Sequence, residues 1–102
     1  MSFNLKNKKV LVVGLARSGV SAVRLLLREG AKITVTDTAG KDRLADAISR
    51  LKGLNISYEL GSHNLETFLK SDLIIISPGV PYKSEYLLRA KEKGIPVISE
   101  IE

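Results

Sequence analysis

The sequence predicts an α/β fold: a Rossmann-like, doubly wound five-stranded parallel sheet with helices on both faces. Three observations lead there. Five short apolar, β-branched runs alternate with segments whose apolar residues recur at helical spacing. The connections between them are short, which suits right-handed crossovers. The first run ends in a glycine turn, "GLARSG", that opens the first helical segment.

Each element has its own signal. "KVLVVG" is too short for a helix and too uniformly apolar for a strand with one wet face, so it reads as a strand buried on both sides, bounded by Gly14. Val20, Val23, Leu26 and Leu27 then recur at helical spacing, with Arg24 and Arg28 between them and Gly30 at the stop. "KITVTD" is the second strand. Leu44, Ile48 and Leu51 mark the second helix, closed by Gly53, and "ISYEL" is the third strand. A short helix, "NLETFLK", follows "GSH". "DLIIIS" is the most apolar strand and is expected at the centre of the sheet. "SPGVP" breaks it, "SEYLLRAKEKG" is a helix with Ser84 as its N-cap, and "IPVISE" is the fifth strand.

The 102 residues suffice for one domain, 1–102. The absence of cysteine excludes disulfides and thiolate metal sites, and one histidine excludes a multi-histidine metal centre within this chain. No apolar run approaches a membrane span, and the first residues lack the apolar core of a secretory signal, so a soluble cytoplasmic protein with no membrane partner is expected. The net charge of +5 is lopsided: residues 1–50 carry ten Lys/Arg against four Asp/Glu. These cations are scattered singly and few aromatics lie among them, which reads as a solvated surface rather than a nucleic-acid platform.

In doubly wound folds ligands bind beyond the carboxyl ends of the strands. The positions to inspect are therefore "GLARSG", "DTAG", "GSH" and "SPGVP". Lys8, Lys9 and Lys32 precede their strands and belong at the opposite edge. Gly14 lets the chain leave the strand sharply, and Gly19 lets the helix pack close to the sheet. The amides of Arg17, Ser18 and Gly19 at the helix N-terminus would form an anion site, with the Ser18 hydroxyl and the Arg17 cation beside them. The bland alternative is a tight turn with no ligand. Ala16 stands where a dinucleotide fingerprint carries its middle glycine, which weakens the case for a nicotinamide cofactor. Asp37 lies 23 positions after Gly14, where a carboxylate could accept from ribose hydroxyls, from the imide N–H of a uracil, or from a helix beginning near Lys41. Ser77 can offer its hydroxyl to a ligand, Pro78 stiffens the turn and Gly79 permits close approach; a plain turn is the alternative. His63 in "GSHN" reads as a polar loop residue rather than a catalytic one.

Taken together and in order, "VGLARSGVSA", "VTDT" and "LIIISPGVP" resemble the N-terminal domain of the Mur ligases of peptidoglycan synthesis, and among them the branch that adds D-glutamate. The likeness covers essentially the whole chain. The resemblance implies a domain that holds the UDP part of UDP-N-acetylmuramoyl-L-alanine and uses no cofactor of its own. It implies that Arg17 and Ser18 sit at the diphosphate and uridine side of the first loop, with Gly19 also in the UDP-binding set, Asp37 and Thr38 at the uracil, and Ser77, Pro78 and Gly79 beside the uridine and phosphates. Two positions depart from the pattern: Arg17 where some relatives are apolar, and Ala39 where some carry arginine. The resemblance further implies ATP-binding and C-terminal domains outside this chain. ATP and Mg2+ would act there to activate the carboxylate for D-glutamate, and this domain alone would bind without catalysing. No G-x-x-x-x-G-K-[ST] loop occurs in the chain. The other reading is an NAD(P)-binding module of a dehydrogenase or redox-sensing regulator. On the ligase reading, Asp37→Ala is expected to weaken uridine binding and leave the fold intact, whereas Gly14→Val damages the fold.

Overall fold

The computed structural model describes residues 4–15, 19–77 and 84–99. Strands β1 (Lys9–Val13), β2 (Lys32–Asp37), β3 (Ile56–Leu60), β4 (Leu73–Ile76) and β5 (Val97–Ser99) alternate with helices α1 (Gly19–Arg28), α2 (Ala45–Arg50), α3 (Leu65–Leu69) and α4 (Glu85–Glu92). All strand pairs are parallel and the order across the sheet is β3-β2-β1-β4-β5. The α/β doubly wound prediction therefore holds. One expectation needs correcting: β1, not β4, is the middle strand. β4 earns its apolar run because β1 and β5 flank it and helices cover both its faces, which leaves all four of its residues buried.

The period of two along each strand sorts the core into two layers. Val10, Val12, Ile33, Val35, Leu73 and Ile75 face α1 and the α2 segment, where Val20, Val23, Leu26, Leu44 and Leu51 meet them. Leu11, Val13, Ile74 and Ile76 face the other way, onto Phe68 of α3 and Leu87 and Ala90 of α4. Each fully buried Leu, Ile, Val or Phe contributes roughly 1.5–3 kcal/mol of transfer free energy. Leu44 and Leu51, expected inside the second helix, sit just outside α2 as its flanking residues, and both are buried. The cap expected at Ser84 is present, accepting from the Tyr86 amide, and the structure adds a second at Asn64, which accepts from the Glu66 amide.

The sheet reverses direction of growth between β1 and β4, since β2 and β3 lie on one side of β1 and β4 and β5 on the other. The register sets Val13 beside Thr36 on one side and Ile76 on the other. Gly14, Asp37 and Ser77 thus emerge together at the carboxyl edge of three adjacent strands. Lys9 and Lys32 are register partners at the amino edge, where they line a groove with Lys70, as their position in the sequence predicts.

Candidate functional site at the carboxyl edge of the sheet

The crevice is built around Gly14. Its φ of +93° lies in the left-handed region that a side chain disfavours, and this turn takes the chain off β1. The Gly14 amide donates to the Thr36 carbonyl at 2.8 Å, which ties the turn to β2. Its carbonyl accepts from Ser77 Oγ at 2.6 Å, which ties it to β4. A Cβ on Gly19 would lie 2.8 Å from that same carbonyl, so α1 starts against the turn at a distance only glycine allows. The close helix–sheet approach expected of Gly19 is what the structure shows.

Asp37 is half-buried at the end of β2. Its Oδ2 accepts from the Leu15 amide and its Oδ1 from the Ala39 amide, both at 2.9 Å. The carboxylate thus pins the first loop to the second. It caps no helix near Lys41, because α2 begins at Ala45 behind Leu44, which offers no side-chain cap. An ionised carboxylate has about four lone-pair sites. With two in use, Asp37 keeps acceptor capacity for a ligand N–H or O–H. Thr38 follows it, exposed at the rim.

Ser77 is 3% exposed. Its hydroxyl proton is already given to Gly14, so toward a ligand it could act only as an acceptor. The sequence placed Ser77 on the correct edge; the structure gives its hydroxyl to the turn. Arg17, Ser18, Pro78 and Gly79, the remaining expected contacts, lie outside the described residues, as does Ala16.

His63 is the residue the sequence undervalued. It shares a hydrogen bond of 2.7 Å between its Nδ1 and Thr36 Oγ1, and Thr36 is fully buried. Two rings stand edge-on to the imidazole, Phe68 of α3 and Tyr86 of α4, each with its centroid 5.6 Å away. Burial pushes its pKa below the ordinary 6.5, with the nearby Asp37 charge opposing that shift. The imidazole is thus neutral near pH 7. This hydroxyl–imidazole pair is not a nucleophile and its base, because Thr36 has no exposed surface for a substrate to reach. The only weak sequence signal was an aromatic or polar ring three residues after a strand, followed by the N-cap of a short helix.

Among the described residues no group of three or more His, Cys, Asp or Glu side chains converges as a metal site, and no helix is long and apolar enough to cross a membrane. Among the described residues the arrangement offers a carboxylate acceptor beside a close-packed glycine turn.

Residues 8–99 match the family described as the Mur ligase MurD-like N-terminal domain. The chain is 53% identical over 98 residues to the UDP-N-acetylmuramoylalanine--D-glutamate ligase of Geotalea daltonii and 48% identical over 97 residues to that of Desulfosudis oleivorans. These matches cover 96% and 95% of the chain but only 22% and 21% of those relatives, so the chain spans about a fifth of their length. Among solved structures, a pseudomurein peptide ligase type C from Methanothermus fervidus superposes with a TM-score of 0.64 at 26% identity, covering 90% of this chain and 19% of that one. The D-lactate dehydrogenase of Escherichia coli superposes with a TM-score of 0.65 at 21% identity over 95% of this chain and 29% of that one, a likeness of fold alone.

Proposed function

Because the chain belongs to the family of MurD-like Mur ligase N-terminal domains, we propose that its carboxyl-edge crevice seats the uridine diphosphate part of UDP-N-acetylmuramoyl-L-alanine. The observation that carries this reading is the Asp37 carboxylate, tied to Leu15 and Ala39 yet left with acceptor capacity beside the glycine turn. A uracil presents one imide N–H, which such a carboxylate accepts. Thr38 borders the same base. In this reading the diphosphate is assigned to the start of α1, at the Gly19 amide and the positive end of the helix dipole, with Arg17 and Ser18 just before it in the sequence as further contacts. Ser77 at the end of β4, and Pro78 and Gly79 that follow it in the sequence, are the residues this proposal assigns to the uridine and phosphates.

In this proposal the whole protein is a ligase that adds D-glutamate to UDP-N-acetylmuramoyl-L-alanine at the expense of ATP, in the cytoplasm, and the present chain is its substrate-anchoring domain. The residues described here do not fit ATP or Mg2+: they converge on no metal site, and the sequence holds no Gly-Lys-Ser/Thr loop. The chain spans about a fifth of the length of its curated relatives, and this proposal assigns the chemistry to the part of the protein beyond it. What the domain supplies is position. Grip on the uridine end restricts the far end of the substrate to the place where reaction occurs, so binding energy remote from the reacting carboxylate lowers the barrier there.

The competing reading, a nicotinamide-binding module, has the dehydrogenase-like fold on its side. Asp37 is equally able to accept from ribose hydroxyls. An amide-resolved titration separates the two. UDP should shift Gly14, Leu15, Gly19, Thr38 and Ala39 and leave the lysine-lined amino edge silent. Saturable binding of NAD at those amides with no response to UDP would replace the ligase reading with the other.

A further inference from the structure

We propose that His63 is a positioning residue for uridine recognition, holding the end of β2 through Thr36 so that the Asp37 carboxylate is already aimed when the ligand arrives. The inference rests on the uridine reading above and adds to it a residue that touches no ligand.

The last two residues of β2 point to opposite faces of the sheet, and each face has its own clamp. Asp37 faces the α1 layer and is held by the Leu15 amide. Thr36 faces the α3–α4 layer and is held by His63. Their backbone is fixed as well: the Thr36 carbonyl accepts from Gly14, and the Asp37 carbonyl accepts from Gly61 at 2.9 Å. With the Ala39 amide on Asp37 Oδ1, four of these five restraints come from backbone amides. The fifth needs a ring nitrogen at one place. That ring is fixed by Phe68 and Tyr86, which also touch each other with centroids 5.3 Å apart, so the imidazole is wedged between two helices and the strand. A neutral imidazole can pair with a hydroxyl without placing a second charge against Asp37. The His63 ring therefore converts the packing of α3 and α4 into a fixed position for β2. Such preorganisation raises affinity by reducing the ordering left to do on binding.

The test uses His63→Phe, which keeps a ring between Phe68 and Tyr86 and removes the nitrogen, Thr36→Val, which keeps volume and removes the hydroxyl, and the pair combined. His63→Asn serves as the conservative variant, since its amide stands near the place of Nδ1. UDP is titrated into each, with the Leu15 and Ala39 amide resonances recorded before ligand is added. Each single change should move those two amide signals and weaken UDP about three- to tenfold. The double variant should be no weaker than the weaker single, because both remove one bond, and His63→Asn should recover part of the loss. Should His63→Phe fail to fold, Thr36→Val carries the test alone. Affinity within twofold of the parent with Leu15 and Ala39 unmoved would overturn the proposal, even if the variants melt earlier. A parent that ignores UDP would defeat the uridine reading instead; the two amide signals in the unligated variants would then decide whether His63 positions Asp37.

Discussion

Replacing Asp37 with alanine should damage the fold as well as the site, contrary to what the sequence suggests. The structure supplies the reason: one carboxylate accepts from the backbone amides of Leu15 and Ala39, both at 2.9 Å. A hydrogen bond to a charged group contributes about 1.5–3 kcal/mol. Asp37 is only half-buried, so water will take over part of each bond in the variant. The net loss is then about 2–3 kcal/mol for the two together. In a domain of this size 1 kcal/mol moves Tm by about 4–8 °C, so Tm should fall on the order of 10–20 °C. Urea unfolding followed by circular dichroism should show a lower midpoint at unchanged slope. Asp37→Asn keeps one acceptor oxygen and should fall between parent and alanine. An Asp37→Ala protein within about 0.5 kcal/mol of the parent would refute the view that this carboxylate joins the first two loops.

Three further outcomes rest on the same contacts. Gly19→Ala places a Cβ 2.8 Å from the Gly14 carbonyl, so despite alanine's better helix propensity it should destabilise by about 1–3 kcal/mol; a Tm at or above the parent's would contradict the close approach. Ser84→Ala removes the acceptor for the Tyr86 amide and should cost about 1 kcal/mol, read as a shift in urea midpoint. The folded-state pKa of His63 is lowered, so around its titration the unfolded chain binds more protons than the folded one. Its contribution to stability is complete above the unfolded value near 6.5, declines as pH falls below it, and is gone below the folded value. Urea midpoints from pH 7.5 to 5 should decline with a slope that His63→Phe reduces; a steeper decline in the variant would reverse the sign.

How much of this was legible beforehand depended on distance along the chain. Strands and helices were readable because their signals are local: the apolar run of β4, the helical spacing of Val20, Val23 and Leu26, the cap at Ser84. The rank of β4 in the sheet was not, since an apolar run reports burial on both faces and any interior strand has that. The edge carrying the site was readable too, because parallel strands bring every β-to-α turn to one side. What escaped was partnership. The Ser77 hydroxyl is claimed by a carbonyl 63 residues earlier, and His63 finds Thr36 across 27 positions. Neither spacing belongs to a motif. Asp37 stood in between: its place was readable, but its hold on Leu15 required knowing where the left-handed turn at Gly14 directs the next amide.

A crystal structure of this chain soaked with uridine diphosphate tests the central claim most directly, through the position of the base. The account predicts the uracil imide nitrogen within hydrogen-bonding distance of an Asp37 oxygen and the diphosphate at the start of α1. Uridine diphosphate bound instead among Lys9, Lys32 and Lys70 at the amino edge would contradict it.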